Sequence, residues 1–254
     1  GPALGGTLGH DADNARQAIE KALSGSDVIL EADYSTQAQT HSPLETHRLV
    51  ADWKPDQLTV YASTQGTASV RDELAAVFNL PKSKVRVITD FMGGGFGAKF
   101  GAGNYGILAT HLSQQTGAPV RLMLNRKQQH LCVGNRPDSH QSMKIAAKKD
   151  GTLTAIHLTG YGTGGAATGA GFAGPTQKMY DCPAILTEEY DVFTHAGPCS
   201  AFRAPGHPQG AFSIEQAIDE LADKLQIDPL DLRDKNDNNR PTSHVHRTER
   251  QIGR

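Results

Sequence analysis

Apolar positions along this chain switch repeatedly between a strand period and a helix period. Val28 to Tyr34, Leu58 to Ala62, Val85 to Thr89 and Val120 to Leu124 are short runs of strand-forming residues bounded by polar or turn residues. Leu49 to Trp53 meets Leu58 to Ala62 across Lys54-Pro55-Asp56-Gln57, so that pair reads as a hairpin. Ser142 to Ala147 and Leu153 to Tyr161 flank Asp150-Gly151, which predicts a second hairpin on a tight primed turn. Glu189 to Thr194 reads as a further strand, and Tyr161 to Gly174 as a Gly/Ala-rich loop. Helices are predicted over Asn14 to Leu23, Ala68 to Phe78, Tyr105 to Gln114 and Gly210 to Leu225. In the last, Ile214, Ile218, Leu221 and Leu225 recur at helical spacing and mark one packed face. Interleaved strands and helices predict an α+β (mixed α/β) fold, with mixed sheets packed with helices. The expected organisation is a linker and N-terminal helix over 1–25, a main domain over 26–232 and a polar C-terminal extension over 233–254. Asp234 to Arg240 reads as exposed.

Composition narrows the function classes. A chain of 254 residues can bury a sizeable core. Its formal charge of −2 gives no basic footprint for nucleic acid. Mean hydropathy is −0.45, and no apolar run approaches a membrane span. The glycines of Gly1 to Gly9 lack the basic and apolar parts of a signal peptide. Three cysteines, Cys132, Cys182 and Cys199, are scattered without metal-site spacing. An odd count without a leader fits a reducing compartment, so a cytoplasmic location is expected.

Chemistry concentrates in four segments. Phe91-Met92-Gly93-Gly94-Gly95-Phe96-Gly97-Ala98-Lys99 follows a predicted strand and precedes a predicted helix. Its glycines free the backbone for left-handed conformations and for close approach of a ligand to main-chain N–H donors. The order needed for a phosphate loop or a dinucleotide fingerprint is absent, which disfavours a nucleotide-binding module. Val60-Tyr61-Ala62-Ser63-Thr64-Gln65 ends a strand on a neutral amide. Ser200 to Gln209 contains Ala201-Phe202-Arg203-Ala204-Pro205-Gly206 before a helix, and His41-Ser42-Pro43-Leu44-Glu45-Thr46-His47 precedes the first hairpin.

In order and spacing these four segments resemble the molybdopterin-binding subunit of the xanthine dehydrogenase and aldehyde oxidase family, the molybdenum hydroxylases. The resemblance runs from about Ser26 to about Leu232 and covers the first half of the family's cofactor domain. It implies a molybdenum–molybdopterin cofactor, of mononucleotide or dinucleotide form, used to hydroxylate aldehydes or N-heterocycles with water as the oxygen source. It also implies that the metal takes no side-chain ligand from the protein. On this resemblance the catalytic set is Gln65, Phe96 and Arg203. The cofactor-binding set is Gln65, Gly94, Gly95, Phe96, Gly97, Arg203 and Ala204. Gln65 would donate its amide to a metal-bound oxygen, Phe96 would wall the pocket, and Arg203 would offer donors to the pterin or an oxo group. Glu45 would orient the glycine loop. Where xanthine-oxidising relatives carry a glutamate after the loop lysine, this chain has Phe100, which points the substrate pocket toward aromatic or aldehyde substrates.

Structural readings compete at each position. Gln65 could cap the following helix, Phe96 and Phe202 could be core, and Arg203 could pair with Glu215. His41 and His47, flanking Glu45, could be drawn as a metal trio, but such spacing also belongs to a turn-and-strand surface. Lys99 reads as a surface residue at a helix start, and His244 to His246 as solvated. The family's general-base glutamate lies far downstream of these motifs. The chain is therefore expected to be inactive alone and to associate through an exposed apolar face around the glycine loop. Expected partners are a chain carrying the second half of the cofactor domain, and subunits holding [2Fe-2S] and FAD. The competing reading is a non-catalytic truncated relative that serves as an assembly or interaction module.

Overall fold

The computed structural model describes residues 11–167 and 169–237. Its elements run α1 (Asp11–Ser24), β1 (Val28–Thr36), β2 (Gln39–Thr40), β3 (Arg48–Trp53), β4 (Leu58–Ala62) and α2 (Thr67–Val77). A 3₁₀ turn (Lys82–Lys84), β5 (Val85–Ile88), α3 (Gly103–Thr116), β6 (Val120–Met123), α4 (Arg126–Cys132) and β7 (Asn135–Arg136) follow. The chain continues with β8 (Ser139–Ala147), β9 (Leu153–Gly165), α5 (Gly174–Lys178), β10 (Ile185–Phe193), α6 (His207–Leu225) and α7 (Pro229–Lys235). The contacts divide it into two compact units, so residues 26–232 are shared between both.

The first unit takes residues 11–38, 137–196 and 204–237. Its sheet has the order β1-β8-β9-β10, antiparallel except for the β9–β10 pair. One face buries Leu30, Met143, Ile145, Ile156 and Leu158 against Ile214, Ile218 and Leu221 of α6. The 3.6-residue spacing read from the sequence is thus the packed face of that helix. Ile19 of α1 packs on Ala146 and Ala155. The β8–β9 turn differs from the expected primed turn. Gly151 has φ 87°, while Asp150 stays at negative φ, and the ladder shifts register at Ala146/Ala147. Asn236, expected to be exposed, is buried and bonds Gly151 O and Leu232 O, while the polar tail beyond 237 lies outside the described residues.

The second unit takes Gln39–Arg136 and Gly197–Arg203. Its main sheet has the order β5-β4-β3-β6, in which β4 and β5 are parallel and the expected β3–β4 hairpin is antiparallel. Leu49, Ala51, Leu58 and Val60 bury against Val70 and Leu74 of α2 and Ala109 of α3. β2 and β7 form a separate two-stranded ribbon. Because β4 and β5 run parallel, residues 63–65 and residues 89–99 leave the sheet at the same end, which is how Gln65 and the glycine run meet.

Candidate cofactor site

The Gln65 side chain docks on the glycine loop. Its Oε1 accepts from Gly97 N–H at 2.8 Å and from Lys99 N–H at 3.3 Å, and its own backbone N–H donates to Lys99 O at 2.7 Å. Two backbone donors converging on one terminal atom require that atom to be the carbonyl oxygen. The NH₂ end is therefore the part Gln65 can offer to anything else. It has no hydrogen-bond partner among the described residues. Gln65 does not cap α2: the residue before that helix, Gly66, gives no side-chain cap.

The glycines have reasons that the chain itself supplies. A Cβ on Gly95 would stand 2.4 Å from Gln65 Oε1, on Gly93 2.5 Å from Glu45 Cβ, and on Gly97 2.2 Å from Ala201 O. Gly94 and Gly97 also hold φ of 93° and 107°. Phe96 sits in the left-handed region too, at φ 54°, a strained conformation for a residue with a Cβ. The residue is 43% exposed rather than core, and its carbonyl accepts from Arg203 N–H at 2.9 Å. The N–H groups of Gly94, Gly95 and Phe96 make no hydrogen bond among the described residues. Three successive amides thus face no acceptor among the described residues, on a loop with left-handed backbone at Gly94, Phe96 and Gly97.

Arg203 is exposed, and its backbone is pinned at both ends: N–H to Phe96 O, and carbonyl to Arg136 Nη2 at 2.6 Å. Glu215, the carboxylate considered for it, is instead held by Arg233 and by Tyr180 Oη. Phe202 is half-buried, stacked on His41 at 4.3 Å with the Arg136 guanidinium 4.6 Å from its ring centre. Ala204, with φ 55°, is where the chain passes into the other unit. Phe100 is 48% exposed.

Behind the loop the sequence expectations need correcting. His41 and His47 are buried, not surface residues. His41 Nε2 contacts Ala201 O at 2.7 Å and His47 Nε2 contacts Ala98 O at 3.1 Å, contacts that require the ring N–H to donate. Burial lowers both pKa values, so both rings stay neutral. Lys99 is likewise not on the surface: it is fully buried. Its ammonium donates to Glu45 O and Ser63 Oγ, both at 2.8 Å. Glu45 Oε2 accepts from Ser63 Oγ and from Gly93 N–H, both at 2.7 Å, and its other oxygen takes Arg48. Burial would raise the Glu45 pKa. The hydrogen bonds from Ser63, Gly93 and Arg48, with the Lys99 charge, outweigh it and bring it to about 2. Nothing local in the sequence marks Lys99 or Ser63 for these positions; their partners come from the segment before β3, the segment after β4 and the loop after β5.

What remains unspent at this site is a set of donors: Gln65 NH₂, the amides of Gly94, Gly95 and Phe96, and the Arg203 guanidinium. It suits a group with oxo or anionic oxygens on its outer surface, because each such oxygen accepts and none donates. A mixed α/β scaffold carrying a donor-lined glycine loop is the class of protein that the fold and this site describe.

The chain matches the molybdopterin cofactor-binding domain over residues 8–237, and it belongs to that family. It is 32% identical over 220 residues to an aldehyde oxidoreductase molybdenum-binding subunit of Escherichia coli O157:H7, covering 86% of this chain and 30% of that protein. It is 33% identical to a probable xanthine dehydrogenase subunit of Bacillus subtilis, over 91% of this chain and 32% of the relative. Among solved structures, the aldehyde oxidoreductase of Desulfovibrio gigas superposes with a TM-score of 0.82 at 29% identity, over 92% of this chain and 28% of the other. Quinoline 2-oxidoreductase of Pseudomonas putida gives 0.80 at 26% identity, over 86% and 29%. The chain thus spans about a third of the length of these relatives. Among the described residues no helix is long and apolar enough to cross a membrane, and no cluster of three His, Cys, Asp or Glu is placed to bind a metal.

Proposed function

We propose that this chain supplies the glycine-loop side of a molybdenum-hydroxylase active site and acts with sequence that lies outside it. The observation that carries the reading is the run of unanswered donors: the Gly94, Gly95 and Phe96 amides beside a Gln65 whose carbonyl is already committed. Bound there, the molybdenum–pterin group would supply the redox chemistry that places a water-derived oxygen on an aldehyde or N-heterocycle carbon. The protein's part is orientation. Gln65 offers a neutral NH₂, which holds an oxygen without adding charge to an anionic centre. Arg203 supplies a forked cationic donor. Phe96 and Phe100 present aromatic faces that exclude water and favour apolar substrates over polar purine edges.

Support for a partner segment comes from exposed apolar side chains in the second unit: Leu44 at 94%, Phe91 at 85%, Phe100 at 48% and Phe96 at 43%. Large apolar side chains exposed to this degree on and beside the loop are candidates for cover by a partner segment. The occupant we assign is the remainder of the cofactor domain, which would bring the general base, while iron–sulfur and FAD subunits would carry the electrons away. Metal and pterin analysis of the purified assembly tests this. Pterin should be present, and Q65A and R203A should each lower its retention at least about tenfold, the worth of one charge-assisted or oxyanion-type donor. An assembly without molybdenum or pterin would overturn it and favour the non-catalytic assembly module. In the complete enzyme, benzaldehyde-type substrates should be oxidised faster than xanthine; the reverse order would overturn the role given to Phe100.

A further inference from the structure

Lys99 forms no part of the donor set, yet its bonds reach Gln65 directly and the start of the glycine loop through Glu45. The ammonium lies at 0% exposure, and Glu45 Oε2, 3.5 Å away, completes its shell with Glu45 O and Ser63 Oγ. The Ser63 hydroxyl accepts from Lys99 and so must donate onward to Glu45 Oε2. That oxygen accepts Gly93 N–H, while Glu45 N–H returns a bond to Gly93 O at 3.2 Å. On the other side, the Lys99 carbonyl accepts from Gln65 N–H and from Thr64 Oγ1 at 2.8 Å, and the Lys99 N–H reaches Gln65 Oε1.

We propose that Lys99 is a positioning residue: its buried ammonium, acting through Glu45 and Ser63, sets the Gly93 end of the glycine loop and anchors a backbone whose bonds to Gln65 orient that amide and the Gly97 end before any cofactor is bound. A compact three-donor cation suits this better than a planar guanidinium, because its acceptors converge on a point rather than on an edge. An apolar side chain of equal volume would fill the space but leave Glu45 O and Ser63 Oγ without their donor. The open amides of residues 94–96 are useful only if 93 and 97 are fixed, and these are the two residues that the network holds. The purpose of the lock rests on the proposed cofactor role; the lock itself does not.

The test uses the full chain without cofactor, labelled with nitrogen-15. In K99M, the Gly93 and Gly97 amides should exchange at least about tenfold faster, a local opening eased by the loss of a buried charged hydrogen bond. The Gln65 side-chain NH₂ pair should shift and broaden. The Ala51 and Val60 amides in the sheet core should stay within about twofold. Unchanged Gly93, Gly97 and Gln65 signals would overturn the proposal, as would equal acceleration throughout the unit. If K99M does not fold, S63A removes one acceptor and keeps the charge. It should speed the same two amides about threefold, and no change there would equally overturn the proposal. Pterin retention by the unaltered purified assembly is measured separately. If the assembly retains none while K99M still loosens the loop, the cofactor reading falls and the positioning role stands.

Discussion

Two glycine-bearing loops in this chain have opposite fates. In the first unit, the amides of Gly169 and Ala170 are taken by the Asp191 carboxylate at 3.0 and 2.8 Å. Those of Phe172 and Ala173 are taken by Glu189, the latter at 2.7 Å. In the second unit, the amides of Gly94, Gly95 and Phe96 meet no carboxylate and no other acceptor among the described residues. The carboxylate nearest that loop in the hydrogen-bond network, Glu45, reaches only its first glycine. Both loops are rich in small residues, and both contain glycines at positive φ. What separates them is whether the protein answers its own donors. An answered loop is scaffold, and an unanswered one beside an exposed amide and guanidinium is a place to hold acceptors from outside.

The comparison breaks most visibly at Gly97. G97A places a Cβ at positive φ and 2.2 Å from Ala201 O, with backbone as the obstacle. Urea unfolding should show a loss of about 3 kcal/mol or more for the transition of the second unit. A variant as stable as the parent would show the loop to be looser than described. E189A comes next. It strands the buried Phe172 and Ala173 amides and should cost about 2 kcal/mol in the same assay, without altering pterin retention. G169A sharpens the contrast with Gly97: the φ is similar at 112°, but no atom lies within 4 Å of the added Cβ. Only backbone strain remains, about 1 kcal/mol. The smallest effect is on the acid side. Glu45, ordinarily at 4.5, is brought to about 2 in the folded chain. A depressed carboxylate stabilises fully above its unfolded pKa, and that contribution fades as pH falls from about 4.5 through about 2. Partial exposure of Glu45 and Arg48 keeps it below about 1 kcal/mol. E45Q should flatten that part of the stability-versus-pH curve, and an unchanged curve would remove Glu45 from the account.

The elements with the strongest local signals are legible in the sequence. Ile214, Ile218 and Leu221 announce the buried face of α6, and the Leu58–Ala62 and Val85–Ile88 runs emerge as neighbouring strands. The glycine run and Gln65 can be paired because each follows a strand, although only the parallel β4–β5 pairing brings them together. α4 is not legible: seven residues with few apolar positions have no usable period, and its start is secured by an Asn125–Gln128 capping box. Lys99, His41 and His47 defeat sequence reasoning for one shared reason. A polar residue is buried when acceptors distant in sequence converge on it, and no window of neighbouring residues records that. The Asp191 and Glu189 caps are invisible for the same reason.

Amide exchange of the two loops, followed with and without molybdopterin in one labelled sample, separates an answered loop from an open one. The Gly94, Gly95 and Phe96 amides should exchange quickly without the cofactor and slow at least about tenfold when it is added, while the already answered amides of Gly169, Ala170, Phe172 and Ala173 do not change. Equal protection in both loops, or none at residues 94–96, would contradict that separation.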